Sequence, residues 1–196
     1  MRVIGLTGPI GCGKSTAAAH LETKGYERIK MAGALKDMMR VIGMTDAHIE
    51  GDLKEVPSAL LCGKTPRFAM QTIGTEWGRD IIGNDIWCNI WTAKALHVLR
   101  SHSFGVVCDD VRFANEVEAV KSVGGIIIEI VRPGCERSAS HASESFEISA
   151  DIKIMNDGSI ENLVKNLDAL LDLLPSSQRK LFSADDDDGS VVGVPV

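Results

Sequence analysis

A short apolar run from Val3 to Thr7 breaks at Gly8, which predicts a strand buried on both faces. Helix formers then extend from Ser15 to Lys24 and stop at Gly25. Tyr26 to Met31 predicts a second strand, and the residues from about Ala34 to Val41 a helix. Between Gly43 and Thr65 the pattern loses its period, and Gly51, Pro57 and Gly63 interrupt it, with Pro66 just beyond. An insertion or mobile segment is expected there. Two helices follow, roughly Arg67 to Asp80 and Asp85 to Ser101, then a strand from Phe104 to Cys108 and a helix from Asn115 to Val123. Gly125 to Val131 is the most hydrophobic strand. Residues 132–147 are polar and read as an excursion, Ile152 to Met155 as a short strand, and Ile160 to Leu174 as an amphipathic helix. Strands alternating with helices imply an α/β fold with a parallel sheet covered on both faces. After Pro175 the period ends, and residues 183–196, which include Asp185 to Asp188, read as an acidic flexible tail.

Composition narrows the partners. The 196 residues carry a net charge of −6, which argues against stable binding of bulk nucleic acid but leaves room for a local basic pocket. Cys12, Cys62, Cys88, Cys108 and Cys135 are widely spaced with no C-x-x-C pair, so neither a disulfide framework nor a zinc site is expected. No apolar run approaches the roughly 20 residues of a membrane span, and the N-terminus lacks a signal-peptide core. The expectation is a soluble protein of the cytoplasm.

The strongest chemical signal is Gly8-Pro9-Ile10-Gly11-Cys12-Gly13-Lys14-Ser15, a complete G-x-x-x-x-G-K-[ST] followed by Thr16, with a strand before it and a helix after it. Glycines let the backbone curl so that several N–H groups point at phosphates, and the helix N-terminus adds a favourable dipole. Lys14 would reach the β and γ phosphates, and the Ser15 hydroxyl would ligate Mg²⁺. Such a metal site also needs a carboxylate at the end of a neighbouring strand, and Asp109 and Asp110 both stand there. Adjacent strand residues face opposite ways, and the hydrophobic alternation favours Asp109.

A kinase differs from a switch or a motor in having a second anion site. Arginine suits that task through planar, bidentate donation. Arg67 and Arg79 lie on one predicted helix, Arg112 follows the Asp pair, Arg132 ends a strand and Arg137 sits in the polar excursion. Lys36 and Lys54 are weaker candidates. Trp77, Trp87, Trp91 and Phe113 could stack on a base, although the helical spacing of Trp87 and Trp91 suits a core. His141 has no metal-spaced partner.

Beyond the P-loop the chain reads Ala32-x-x-Leu35-Lys36, Thr65-Pro66-Arg67-x-x-x-Gln71-x-x-Gly74-Thr75-Glu76-x-x-Arg79, Asp85-x-Trp87, Asp110-Val111-Arg112-Phe113-x-Asn115-Glu116, Gly124-Gly125, Arg132, His141-x-Ser143-Glu144 and Asn156-Asp157-Gly158-Ser159. In that order the series resembles the phage-type deoxynucleoside monophosphate kinases, from residue 1 to about 174. The resemblance implies a P-loop three-layer sandwich within one domain, residues 1–182. Its core would be 1–32 and 102–174, its acceptor-binding insertion about 33–100, and its lid about 133–147. ATP and Mg²⁺ would be the cofactors and a deoxynucleoside monophosphate (dNMP) the small-molecule partner, with the protein a monomer or homodimer.

The resemblance also implies roles. Gly8, Gly11, Cys12, Gly13, Lys14, Ser15, Thr16, Asn156 and Gly158 would hold ATP, with Asn156 to Ser159 near the adenine. Lys36, Arg67, Gln71, Glu76, Arg79, Trp87, Asp110 and Arg112 would lie on the substrate side. Lys14, Asp110, Arg112, Arg132 and Arg137 would serve catalysis, and Ser15 with Asp109 or Asp110 the metal. The family pattern aligns its acid with Asp110, against the alternation argument. Ala34 and Ala114 replace prolines common in the family, which alters local backbone and leaves the charged groups in place. The alternatives are a dephospho-coenzyme A kinase-like enzyme, whose hydroxyl acceptor needs a carboxylate base, a non-kinase P-loop NTPase or switch, and a non-catalytic binder.

Overall fold

The chain is described here by a computed structural model covering residues 2–101, 104–135 and 148–174. Five strands form the sheet: β1 (Arg2–Thr7), β2 (Tyr26–Arg28), β3 (Gly105–Cys108), β4 (Ile126–Val131) and β5 (Ile152–Met155). All pairings are parallel, in the order β2-β3-β1-β4-β5. β1 is central, between β3 on one side and β4 on the other. Its carboxyl end is therefore the point where the winding reverses, which is where open α/β sheets place their ligands.

Side-chain alternation sorts the strands onto two layers of helix. Ile4, Leu6, Val107, Ile128 and Ile130 face α1 (Lys14–Thr23) and α7 (Ile160–Leu173), whose Ala17, Leu21, Leu163, Leu167 and Leu171 complete that core. Val3, Val106, Cys108 and Ile127 face the opposite layer, where α5 (Ile86–Arg100) and α6 (Ala114–Ser122) contribute Trp91, Ala95, Leu99, Ala119 and Val120. The 3.6-residue stripe of α7 and the two-residue alternation of the strands thus meet on one surface. Each fully buried Leu or Ile contributes about 1.5–3 kcal/mol by leaving water.

A third, smaller core lies off the sheet. Leu35 and Met39 of α2 (Gly33–Val41), Met44, Ile49 of α3 (Asp46–Ile49), Met70 of α4 (Pro66–Thr72) and Trp87 pack together. The aperiodic stretch 43–65, expected as an insertion or mobile segment, contributes Met44 and Ile49 to this core. It folds as α3 and two 3₁₀ turns, Asp52–Glu55 and Ala59–Leu61, and these pieces are too short to show a period.

The helix expected over Arg67 to Asp80 is also different. Thr65 caps α4, its hydroxyl accepting from the Phe68 N–H at 3.1 Å with Pro66 in the first turn. From Ile73 to Ile82 the helix widens to π geometry, closed by the Gly83 N–H bonding the Gly78 carbonyl at 2.9 Å. Trp87 accompanies the change: its Nε1 donates to the Gly74 carbonyl at 2.8 Å. A Cβ on Gly78 would come within 2.6 Å of the Trp87 ring, so this glycine admits the indole. β2 is shorter than expected, although the Ile29 N–H still bonds the Val107 carbonyl at 2.9 Å.

Candidate active site

The loop after β1 turns on three left-handed glycines, Gly8 (φ 133°), Gly11 (φ 79°) and Gly13 (φ 111°). At Gly8 a Cβ would meet the Ile130 carbonyl at 2.5 Å, so the loop lies against the end of β4 as only glycine allows. Gly13 is the N-cap of α1 and offers no side-chain acceptor, which leaves the first-turn N–H groups to an anion. Asn156, buried at the end of β5, donates from Nδ2 to the Cys12 carbonyl at 2.8 Å. Beside the loop lies an open cleft of about 410 Å³ lined by Gly11, Gly13, Lys14, Ser15, Thr16, Arg132, Asn156, Gly158, Ile160 and Leu163.

Lys14 folds back over its own loop, Nζ donating to the carbonyls of Gly8 and Pro9 at 2.6 Å each. Burial lowers its pKa, with Arg112 adding to the lowering while Cys12 and Asp109 oppose it. Both Arg112 and Asp109 thus stand within electrostatic reach of the P-loop lysine. Arg132 reaches the same loop, its Nη1 donating to the Gly11 carbonyl at 3.3 Å.

The two strand-end acids differ in what they hold. Asp109 is 5% exposed; its Oδ2 pairs with Arg28, and its Oδ1 is buried with no hydrogen-bond partner among the described residues. Asp110 binds backbone amides. Its Oδ1 accepts from the Met31 N–H at 2.8 Å and its Oδ2 from the Ala32 N–H at 3.1 Å, anchoring the entry to α2.

On the other side of the carboxyl edge the third core displays cations. Lys54, expected only as a minor candidate, has its pKa lowered by burial and then by Arg67, Lys36 and Arg112. Each of these three cations repels Lys54. Glu50 answers in part, accepting from Lys36 at 2.6 Å and Lys30 at 3.0 Å. Burial alone would raise the Glu50 pKa, but these two lysines outweigh it and hold it at about 2. Arg67 pairs with Glu55 on the surface. Gln71 and Glu76 are exposed.

Trp87 is 4% exposed and belongs to the third core, so it supports this region from beneath. Arg79 is drawn to α6: its Nη2 donates to Glu116 Oε1 at 2.9 Å, and its guanidinium lies 4.1 Å over the Phe113 ring. Arg137, His141 and residues 136–147 of the expected lid lie outside the described residues, as do residues 175–196. Sequence reasoning passed over Glu116, Glu50 and Arg28 as site residues. Only the position of Glu116 in the third place of a helix after Arg-Phe offered a signal, since an N3 glutamate often caps.

A parallel sheet with a glycine-turned phosphate cradle at its reversal point, faced by a strand-end carboxylate and a cluster of cations, defines a P-loop kinase. Residues 64–167 match the model of the deoxynucleotide monophosphate kinase family. A putative deoxynucleotide monophosphate kinase of Acanthamoeba polyphaga mimivirus is 34% identical over 88% of this chain and 97% of its own length. The deoxynucleotide monophosphate kinase of Enterobacteria phage T4 is 30% identical over 55% of this chain, which spans 46% of that relative. The chain belongs to the deoxynucleotide monophosphate kinase family. Among solved structures, a dephospho-CoA kinase from Campylobacter jejuni aligns over 88% of this chain and 96% of its own at 17% identity, with a TM-score of 0.47. That likeness is too distant to bear on substrate. No helix of the described residues is long and apolar enough to cross a membrane.

Proposed function

We propose that this chain transfers the γ-phosphoryl group of ATP to the phosphate of a deoxynucleoside 5'-monophosphate. The observation that carries the reading is the cation cluster of Lys36, Lys54, Arg67 and Arg112, in which Arg112 also acts on Lys14 of the P-loop. In this reading the two anion sites share Arg112. The relatives, named as deoxynucleotide monophosphate kinases, support the same acceptor class.

The acceptor is already an anion at neutral pH, so the protein's task is to overcome repulsion and align two phosphates. Lys14 exchanges the Gly8 and Pro9 carbonyls for the β and γ phosphates. The lysines and Arg67 hold the acceptor phosphate, and Arg112 stands between the sites. An acceptor oxygen forms a bond to the γ-phosphorus while the β–γ bridging bond breaks, giving ADP and a nucleoside diphosphate. Arg132, beside Gly11, neutralises charge at the transferring group.

The orphaned Oδ1 of Asp109 and the Ser15 hydroxyl in the cleft fit the outer and inner ligand shells of a Mg²⁺ ion. Among the described residues no group of three or more His, Cys, Asp or Glu side chains is arranged to hold a metal ion, and a phosphate-bound Mg²⁺ does not require one. Held there by Ser15 and, through its outer shell, Asp109, such an ion would supply charge neutralisation to the phosphates. For this role Asp109 is better suited than Asp110, whose oxygens are both taken by backbone amides.

The test is ADP release from MgATP with dGMP, dTMP, dCMP, dAMP, dephospho-coenzyme A or no acceptor. Stimulation by one or more dNMPs is expected; hydrolysis indifferent to every acceptor contradicts the proposal.

A further inference from the structure

Glu116 lies on α6, outside the phosphate cleft, and no step above employs it. It is only 3% exposed, yet its carboxylate is saturated with partners from two separate segments. Oε2 accepts from the Arg112 N–H at 2.6 Å and the Phe113 N–H at 3.1 Å, and Oε1 accepts from Arg79 Nη2 at 2.9 Å. The Arg79 guanidinium in turn covers the Phe113 ring at 4.1 Å. One carboxylate thus clamps the π-helical turn to the Arg112-Phe113 pair that leads into α6. Arg112 is the group whose charge is felt by both Lys14 and Lys54.

We propose that Glu116 is a positioning residue for phosphoryl transfer, fixing Arg112 between the P-loop lysine and the acceptor cations through its backbone N–H. The inference rests on the kinase reading above. A carboxylate used only as a helix cap would need no burial and no arginine, since an exposed N3 glutamate caps equally well. Here the cap is sealed under Arg79, whose guanidinium faces the carboxylate at a site where burial disfavours charge. Burial raises the Glu116 pKa to about 7; the Arg112 N–H bond opposes this, Asp110 reinforces it, and Arg79 and the Phe113 N–H oppose it. The buried thiols Cys88 and Cys108 also feel the Glu116 charge, and burial pushes both up, Cys88 to about 12. Both are neutral near pH 7, so the carboxylate faces Arg79 and Asp110 as its charged neighbours. Protonating it removes the charge from three hydrogen bonds at once and loosens the mount of Arg112.

The test compares wild type with Glu116→Gln, which keeps shape and one acceptor oxygen. With a dNMP acceptor, kcat is expected to fall about tenfold while the KM for ATP changes less than twofold. A purely structural role would shift both, or neither. Acceptor phosphate also ionises in this range, so the wild-type to variant ratio of kcat is read from pH 6 to 8. It should rise with pH through one ionisation near neutrality, and a flat ratio overturns the proposal. A second readout needs no catalysis: the backbone amide resonances of Arg112 and Phe113 should titrate near neutral pH in wild type and not in the variant. Absence of that titration overturns the proposal even if no dNMP stimulates wild type, an outcome that by itself contradicts only the kinase reading.

Discussion

Asn156 Nδ2 and the Cys12 carbonyl, separated by 144 residues of sequence, meet at 2.8 Å, and this bond ties the phosphate loop to the end of β5. The Asn156 N–H completes the tie by bonding the Val131 carbonyl at 2.8 Å. Asn156→Ala leaves a buried carbonyl without its donor, a loss of about 1–3 kcal/mol. It also loosens the loop that holds the nucleotide. The KM for ATP should rise several-fold, with the KM for the acceptor little changed, and thermal unfolding with and without ATP reads the stability term.

The acceptor cations should respond separately from the loop. Lys54→Met and Arg67→Met each remove one charge from a cluster whose members already repel one another. Steady-state kinetics should give an acceptor KM raised about tenfold or more, with the KM for ATP within twofold. Equal losses for both substrates would place these residues outside the acceptor site.

Asp109 has two jobs, and a double-mutant cycle divides them. Asp109→Asn alone should depress kcat about 100-fold or more and also destabilise the fold, because Arg28 loses its buried ionic partner. Adding Arg28→Met should recover stability, measured by chemical denaturation, without recovering kcat. Recovery of activity along with stability would assign Asp109 a structural role only.

Stability should carry a signature of Glu116 as well. Its folded pKa, about 7, is raised above the ordinary 4.5, so between those values the native state holds a proton that the unfolded chain has released. Stability therefore falls as pH rises from about 4.5 to 7, by on the order of 3 kcal/mol from this group. Glu116→Gln should lack that slope. Glu50 has the opposite sign. Its pKa is held at about 2, so its contribution is present above 4.5 and is lost as pH falls toward 2.

The strands, the helices against them and the phosphate loop were legible because each repeats a local rule. Ile4 and Leu6 alternate, Leu163, Leu167 and Leu171 recur at helical spacing, and the P-loop glycines are fixed by backbone geometry. The acceptor side was less legible. Its third core is assembled from α3 and short 3₁₀ turns, and the π widening depends on Trp87 reaching the Gly74 carbonyl, a contact between elements that no window of sequence contains. The charged residues divide the same way. Lys14 is marked by its motif, whereas Glu116 and Lys54 look like solvated residues until the fold buries one and crowds the other. Asp109 and Asp110 are neighbours in sequence that the chain end of β3 directs to different partners, Arg28 and the amides of Met31 and Ala32.

The most direct test of phosphoryl transfer to a nucleotide follows the label from [γ-³²P]ATP in the presence of Mg²⁺ and each dNMP. Appearance of the label in the β position of a deoxynucleoside diphosphate, in step with ADP, is the predicted result. Label recovered only as inorganic phosphate, at a rate no dNMP alters, would contradict it.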